Sequence, residues 1–572
     1  MVRLPATGPA GTVTPRLPTP IGPQPAVSTT GPISDPAPPA PSAARIDPAP
    51  EFTPTPSVDA MTPSAPPIAG PLGDRTVTGF VWLLLQTVVL KLVGLVGQIV
   101  LAWFLVPDEF GVVTKALTVA AFVNIVQEGG LHQVLVHRAK EFDRWANPAF
   151  WLSLATGVVG VAVMLVAAPL AARAYHAPEL VGLIALLAVR LVPAAVGMVP
   201  IARLVADMRF HTIGLIHVAS ALLSIGLSVL LAWRGWGPMA IVVPIVVVTF
   251  VRAGWPWLVA TPRVTWRPEV GRWWLLMADT KYAMGSMFFA VLLAQGDFAV
   301  IGLLESDRDL GIYSNAFNLS AQAIALFAAN LAGVLFPALS LLRDEPARQT
   351  QALLRATRVL AMAGVPACLL QAVLAGPLVR LVFPERWHAV IPVLAVLSLG
   401  MAVRIISAPV GNLIQAQGRF RAYMVLSVVY AVAYVGAVAI GAAAGDIVTV
   451  AWAATVCFLI AEPLYLYVAI RPAGGRWSEV AGVFAPPIAA GAAAAAAAWA
   501  VASVPGMVMQ PGRARDAVAV LVALPVATAV YVPLARWTMP AAWGEAAATV
   551  RSLLARITGR ARPTDAPGAA AA

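Results

Sequence analysis

The sequence predicts an all-α, polytopic membrane protein of about 14 transmembrane helices, built as two parallel-related six-helix bundles plus two C-terminal helices. Composition is the first ground. Hydrophobic residues make up 59% of the 572-residue chain and charged residues 11%, where a soluble domain carries about 25% charge. The mean hydropathy is +0.81. The second ground is a series of apolar runs, each long enough to cross a bilayer, which takes roughly 20 helical residues. The third is repetition: landmarks of the first half return about 200 to 210 residues later. The net charge of +11 does not indicate a nucleic-acid partner. It lies in short loops, where it sets membrane orientation, and forms no basic cluster on a soluble fold.

Residues 1–73 hold 20 of the 49 prolines, with Ala, Thr and Ser between them. Such a segment cannot bury enough apolar surface to offset its ordering entropy, so it reads as a disordered cytoplasmic N-terminus. No apolar h-region follows the first arginine, which argues against a signal peptide. Residues 74–260 form the first bundle, with helices near 79–106, 112–136, 149–173, 180–205, 213–232 and 238–260. Residues 261–476 form the second, with helices near 281–304, 311–339, 357–382, 388–416, 422–442 and 447–470. Residues 477–536 supply the extra pair, near 482–503 and 516–536, and 537–572 form a cytoplasmic tail. Loop 263–278, with Trp266, Trp273 and Trp274 among arginines, suits the headgroup layer, and 341–358 and 543–562 read as surface helices. Cys368 and Cys457 lie in apolar runs and read as packing residues.

Loops after even-numbered helices carry 16 Lys and Arg residues, among them Arg144, Arg209, Arg348 and Arg476. Loops after odd-numbered helices carry 5: Arg234, Arg308, Arg386, Arg513 and Arg515. The bias places the even loops and both termini in the cytoplasm.

The repeat is visible in four places. PDEFGVV at 107–113 and SDRDLGIY at 306–313 are both acidic turns opening a helix, with Gly111 matching Gly311. ADMRFHTIGL at 206–215 matches AQGRFRAYMV at 416–425, so Arg209-Phe210 pairs with Arg419-Phe420. An even number of helices separates the copies, so both halves share one orientation.

No G-x-x-x-x-G-K-[ST] motif occurs, so the chain itself has no P-loop for ATP. No His/Cys/Asp/Glu group has metal spacing, and no cofactor is expected. No loop on the sparsely charged side is long enough for a catalytic domain, so no enzymatic activity is expected. What remains is charge inside the membrane: Lys91, Arg190, Asp297 and Arg404 at mid-depth, where a charge must face a cavity or a partner. Glu128, Arg252 and Glu462 lie nearer helix ends and read as snorkelling groups. Arg190 lies 19 residues before Arg209 and Arg404 lies 15 before Arg419, so the two arginines occupy equivalent helices. Both are expected to face one central cavity. With Lys91 they suit a phosphate-bearing substrate, since guanidinium matches phosphate oxygens with a planar fork. Asp297 is the candidate ion-coupling group; an Arg–Asp or Lys–Asp pair locking helices together is the competing reading. Gln295, Asn315, Asn318, Gln322 and Asn330 form a polar line, with Gln295, Asn318 and Gln322 as candidate cavity-lining residues. Polar helix–helix contacts are the alternative for them.

The stretches PDEFGVV, NPAFWLSLATG at 147–157, APLAARAYHAPEL at 168–180, ADMRF, GDFAVIGLLESDRDLGIYSNAFNL at 296–319 and LFPALSLLRD at 335–344 carry a family resemblance. Over about 75–540 the chain resembles the polysaccharide transporter family of the multidrug/oligosaccharidyl-lipid/polysaccharide flippase superfamily, in the branch of the colanic-acid and teichuronic-acid exporters. The resemblance implies a flippase that moves undecaprenyl-diphosphate-linked oligosaccharide across the bacterial inner membrane by alternating access, driven by an ion gradient. Its implied partners are that lipid-linked oligosaccharide, a coupling proton or sodium ion, and the polysaccharide assembly machinery. It implies no catalytic residue, and it places Asp297 at an acidic position common in this motif. Three alternatives stand beside it. A drug or cation antiporter of the same superfamily favours acidic cavity groups. A membrane-embedded polysaccharide polymerase or ligase needs a long extracytoplasmic loop. A peptidoglycan-precursor flippase shares the helix number but has further charges in its first helix.

Overall fold

Twelve helices of the described residues are long and apolar enough to cross a membrane. The computed structural model describes residues 71–557, except 129, 130, 139, 140, 323, 325–327, 329–334 and 337. The N-terminal segment, the end of the tail and Asn330 lie outside the described residues, and so do parts of the second and eighth predicted helices.

The first bundle comprises α1 (Pro71–Phe104), α2 (Pro107–Glu128), α3 (Leu131–His137), α4 (Phe142–Ala174), α5 (Leu180–Val189), α6 (Leu191–Ala206), α7 (Phe210–Trp233) and α8 (Met239–Val259). The second comprises α9 (Trp273–Leu304), α10 (Asp307–Ser320), α11 (Pro346–Val382), α12 (Val390–Ser407), α13 (Val410–Ala416), α14 (Phe420–Ala444) and α15 (Ile447–Ile470). α16 (Trp477–Val508) and α17 (Arg513–Thr538) form a hairpin against α11, and α18 (Pro540–Ile557) follows. The two predicted spans missing from the twelve are α2 and the run opening with α10, whose first turns carry Asp108, Glu109, Asp307 and Asp309. Those acids suit helix N-termini, where the backbone N–H groups lack partners.

Several boundaries differ from the expectation. The fourth predicted helix is broken at Arg190, because Pro193 has no N–H to give Val189 and its ring crowds that carbonyl. The tenth is broken before Pro409 for the same reason. The segment expected as a surface helix at 341–358 instead runs from Pro346 directly into the span, as the first three turns of α11. Its N-terminal half is not wholly exposed: Gln349, Leu353 and Thr357 are fully buried. Both cysteines are free.

Packing repeats along with sequence. In the first bundle α1 packs on α7, α7 on α8, α8 on α6, and α6 on α4. In the second, α9 packs on α14, α14 on α15, α15 on α12, and α12 on α11. The same turn leaves α6 and α13. Arg209 N bonds Leu204 O at 2.9 Å, and Arg419 N bonds Ile414 O at 3.1 Å. The residue before each arginine is left-handed, Met208 at φ 54° and Gly418 at φ 71°.

The bundles meet where α2 crosses α10, at the sparsely charged face. Gly111 and Gly311 make the crossing close. A Cβ on Gly111 would overlap the carbonyl of Asp307, and one on Gly311 the carbonyl of Pro107. These contacts are reciprocal under a shift of 200 residues, as the parallel repeat requires. Thr114 Oγ1 and Ser314 Oγ, again equivalent, lie 3.2 Å apart. Lys115, 3% exposed, pairs with Asp307 at 2.7 Å. Beside the crossing, the turn before α12 caps α1. Trp387 Nε1 donates to Ala102 O at 3.0 Å, and Arg386 Nη2 to Ala102 O at 3.1 Å. A cation at a helix C-terminus satisfies free carbonyls and complements the dipole. This face is therefore sealed between the bundles.

Candidate functional site

The break at Arg190 opens a basic pocket in the first bundle. Arg190 N bonds Leu187 O at 3.3 Å, a tighter turn than the α-helix, and α6 restarts with Ala194 N on Arg190 O at 3.0 Å. The side chain lines a cavity of about 340 Å³ with Gln127, His132, Thr249 and Arg252. Met198, Ile201 and Met287 complete its apolar wall. Among the described residues no carboxylate lines it. Arg252 Nη2 lies 3.2 Å from His217 Nε2, which must be the acceptor because guanidinium has none. The pocket runs from the start of α6 at mid-depth toward the C-terminal halves of α2 and α8, away from the seal. Two guanidinium groups and an imidazole around a cavity suit an oxyanion, most of all a phosphate.

The second bundle holds a different cluster. Asp297 on α9 is fully buried. Tyr434 donates to its Oδ2 at 2.9 Å, Tyr313 lies 3.5 Å from the same oxygen, and the Phe298 N–H donates to Oδ1 at 2.9 Å. Glu462 on α15 is 3% exposed and accepts from Tyr430 at 2.5 Å. Arg404 lies between them in electrostatic range, its guanidinium 4.8 Å from the Phe458 ring centroid. Among the described residues Arg404 makes no ion pair within 4.0 Å, so no direct Arg–Asp clasp locks these helices.

The two predicted arginines thus do not share a pocket. Arg190 faces Arg252, whereas Arg404 faces carboxylates. Arg252 lies on α8 and Glu462 on α15, the last helices of the two bundles, so the corresponding helices carry opposite charges. Glu462 is buried and does not snorkel, contrary to the expectation from its position near a helix end, whereas Arg252 is exposed and contacts His217. Lys91 is half-buried on α1 and does not line the basic pocket. Gln295 accepts from Thr118 at 3.4 Å, a contact between the bundles. Asn318 lines a separate cavity beneath the seal, and Gln322 is half-buried at the end of the same run. Sequence reasoning passed over Lys115, Tyr313, Tyr430 and Tyr434. A lysine four residues after Gly111 was a detectable signal; a tyrosine in an apolar helix is not.

Fold and site together define a polytopic, all-helical membrane transport protein with paired bundles. The fold is that of the lipid II flippase MurJ in an inward closed conformation, with a TM-score of 0.65 at 10% identity, covering 79% of this chain and 98% of that one. An inward-facing multidrug resistance transporter of the MATE family is also similar, with a TM-score of 0.55 at 15% identity, covering 69% and 95%. These likenesses establish the fold alone.

Residues 100–392, just over half of the chain, match the polysaccharide biosynthesis protein family, and the chain belongs to it. It is 25% identical to the teichuronic acid biosynthesis protein TuaB of Bacillus subtilis, covering 69% of this chain and 83% of that one. It is 27% identical to the succinoglycan biosynthesis transport protein ExoT of Rhizobium meliloti, covering 61% and 71%. The lipopolysaccharide biosynthesis protein WzxC of Escherichia coli is 24% identical, covering 71% and 82%.

Proposed function

We propose that the chain is a flippase that carries undecaprenyl-diphosphate-linked oligosaccharide across the bacterial inner membrane, moving its cargo without modifying it. The observation that carries this reading is the basic pocket, where Arg190, Arg252 and His132 line one cavity. Two guanidinium groups beside an imidazole match the oxygens of a diphosphate in charge and geometry. A cationic cargo would meet repulsion there, which disfavours the drug-antiporter alternative.

The loop bias orients the molecule with its arginine-rich face and both termini in the cytoplasm. The basic pocket then opens toward the leaflet where the lipid-linked glycan is made, while the α2–α10 crossing seals the opposite face. Alternating access requires that crossing to part and the cytoplasmic side to close. Asp297, Glu462 and Arg404, held by tyrosines, form the unit through which a proton or sodium gradient biases the change. Released glycan passes to the polysaccharide assembly machinery.

The test is export in cells carrying Arg190→Ala or Arg252→Ala. Normal membrane abundance with lipid-linked glycan accumulating in the cytoplasmic leaflet is expected for both. Lysine at either position should rescue partly, because ammonium supplies charge without the fork. Unimpaired export in both alanine variants would contradict the reading.

A further inference from the structure

We infer that the cavity beneath the inter-bundle seal is a neutral sugar subsite, resting on the proposed role as a carrier of lipid-linked glycan. The cavity measures about 310 Å³, within the range of small-molecule sites, about 300–1,000 Å³. Its polar wall comes from Gln98, Thr114, Ser228, Asn315 and Asn318, and Phe110 supplies an aromatic face. Among the described residues no charged side chain lines it.

Asn315 carries the assignment. It is 1% exposed, yet among the described residues neither Oδ1 nor Nδ2 has a hydrogen-bond partner. Leaving such a group unsatisfied costs about 1–3 kcal/mol. The repeat explains how the orphan arises. Asn315 is the equivalent, 200 residues on, of Lys115, whose partner is Asp307. The equivalent of Asp307 is Pro107, which offers no side-chain acceptor. The helix crossing that pairs Lys115 therefore strands Asn315.

An amide lacking both a donor and an acceptor is satisfied by a hydroxyl, which is both. Neutral amides, hydroxyls and one aromatic ring suit a pyranose, whose hydroxyls hydrogen-bond and whose C–H face packs on the ring. A metal cation would require more oxygen charge than this wall provides. Placement agrees with the proposed cargo. α8 contributes Ile241 and Ile245 to this cavity, and Thr249 and Arg252 to the basic pocket. Ile245 and Arg252 are separated by about 10 Å of helix at 1.5 Å per residue. One extended molecule can put a diphosphate in the basic pocket and a neutral sugar beneath the seal. The wall is shared, with Gln98, Thr114 and Ser228 from the first bundle and Asn315 and Asn318 from the second. Parting of α2 from α10 would split the subsite and release the sugar toward the open face.

The test uses the purified full-length chain and two probes, undecaprenyl diphosphate with and without a neutral trisaccharide. Wild type should bind the glycosylated lipid more tightly. Asn315→Leu and Asn318→Ala should each weaken that binding by about tenfold, the effect of losing a ligand hydrogen bond worth about 1.4 kcal/mol, and leave the sugar-free lipid unchanged. Asn318 is exposed, so its variant guards against a folding failure at Asn315. If wild type binds both lipids equally, or both variants bind as wild type does, the cavity holds water only and the subsite is refuted, while the diphosphate reading stands. If wild type binds neither lipid, the diphosphate reading falls and the subsite with it.

Discussion

Asp297 shows what one residue reveals and what it conceals. An aspartate inside an apolar run is visible at once, because its burial demands a partner. Its actual partners, Tyr434 and Tyr313, lie 137 and 16 residues away and carry no sequence mark. Arg404 was expected to face a central cavity, with an Arg–Asp pair as the competing reading, and the structure sets it between two carboxylates without a close pair. Tyr434→Phe should therefore cost about 1.5–3 kcal/mol of stability, the usual worth of a hydrogen bond to a charged group. Thermal unfolding of Tyr434→Phe, Asp297→Asn and the double variant checks this. Coupling between the two changes of about 1 kcal/mol or more is expected, since residues in one hydrogen-bonded network are not additive. Strict additivity would show that the Tyr434 hydroxyl does not stabilise Asp297.

At the scale of elements, the order of spans was legible because length and apolarity decide what can cross a bilayer. The interruptions were less so. A proline in a membrane helix is tolerated when its freed carbonyl finds another partner, so Pro193 and Pro409 could have marked bends as readily as breaks. The amphipathic 346–358 looked like a surface helix because its arginines are real surface groups, but its buried face packs inside the bundle. The turns after α6 and α13 permit a direct comparison. Both need a left-handed residue, and only Gly418 takes that conformation without Cβ strain. Met208 is 64% exposed, so glycine there sacrifices little packing. Met208→Gly should stabilise the protein by up to about 1 kcal/mol, and Gly418→Met should destabilise it by about 1–2 kcal/mol. Midpoints of thermal unfolding moving the other way would contradict this account of the two turns.

For the whole molecule, two short acidic turns 200 residues apart revealed the parallel repeat, and the structure brings those same turns together at the seal. Which charges share a pocket was not legible. That depends on Arg252 and Glu462, which the sequence shows only as similar residues near helix ends. The two bundles thus hold sites of opposite character, one a basic cavity and the other a hydrogen-bonded carboxylate cluster. The proposed transport cycle requires the two to be coupled through the single α2–α10 crossing.

That coupling is tested most directly by locking the crossing. Thr114→Cys with Ser314→Cys, in a chain whose Cys368 and Cys457 are replaced, puts two thiols where the hydroxyl oxygens now lie 3.2 Å apart. The protein is reconstituted in vesicles, and transbilayer movement of undecaprenyl-diphosphate trisaccharide is followed under oxidising and then reducing conditions. Alternating access predicts that the cross-link stops translocation and that reduction restores it. Translocation continuing at the uncross-linked rate in fully cross-linked protein would contradict the account.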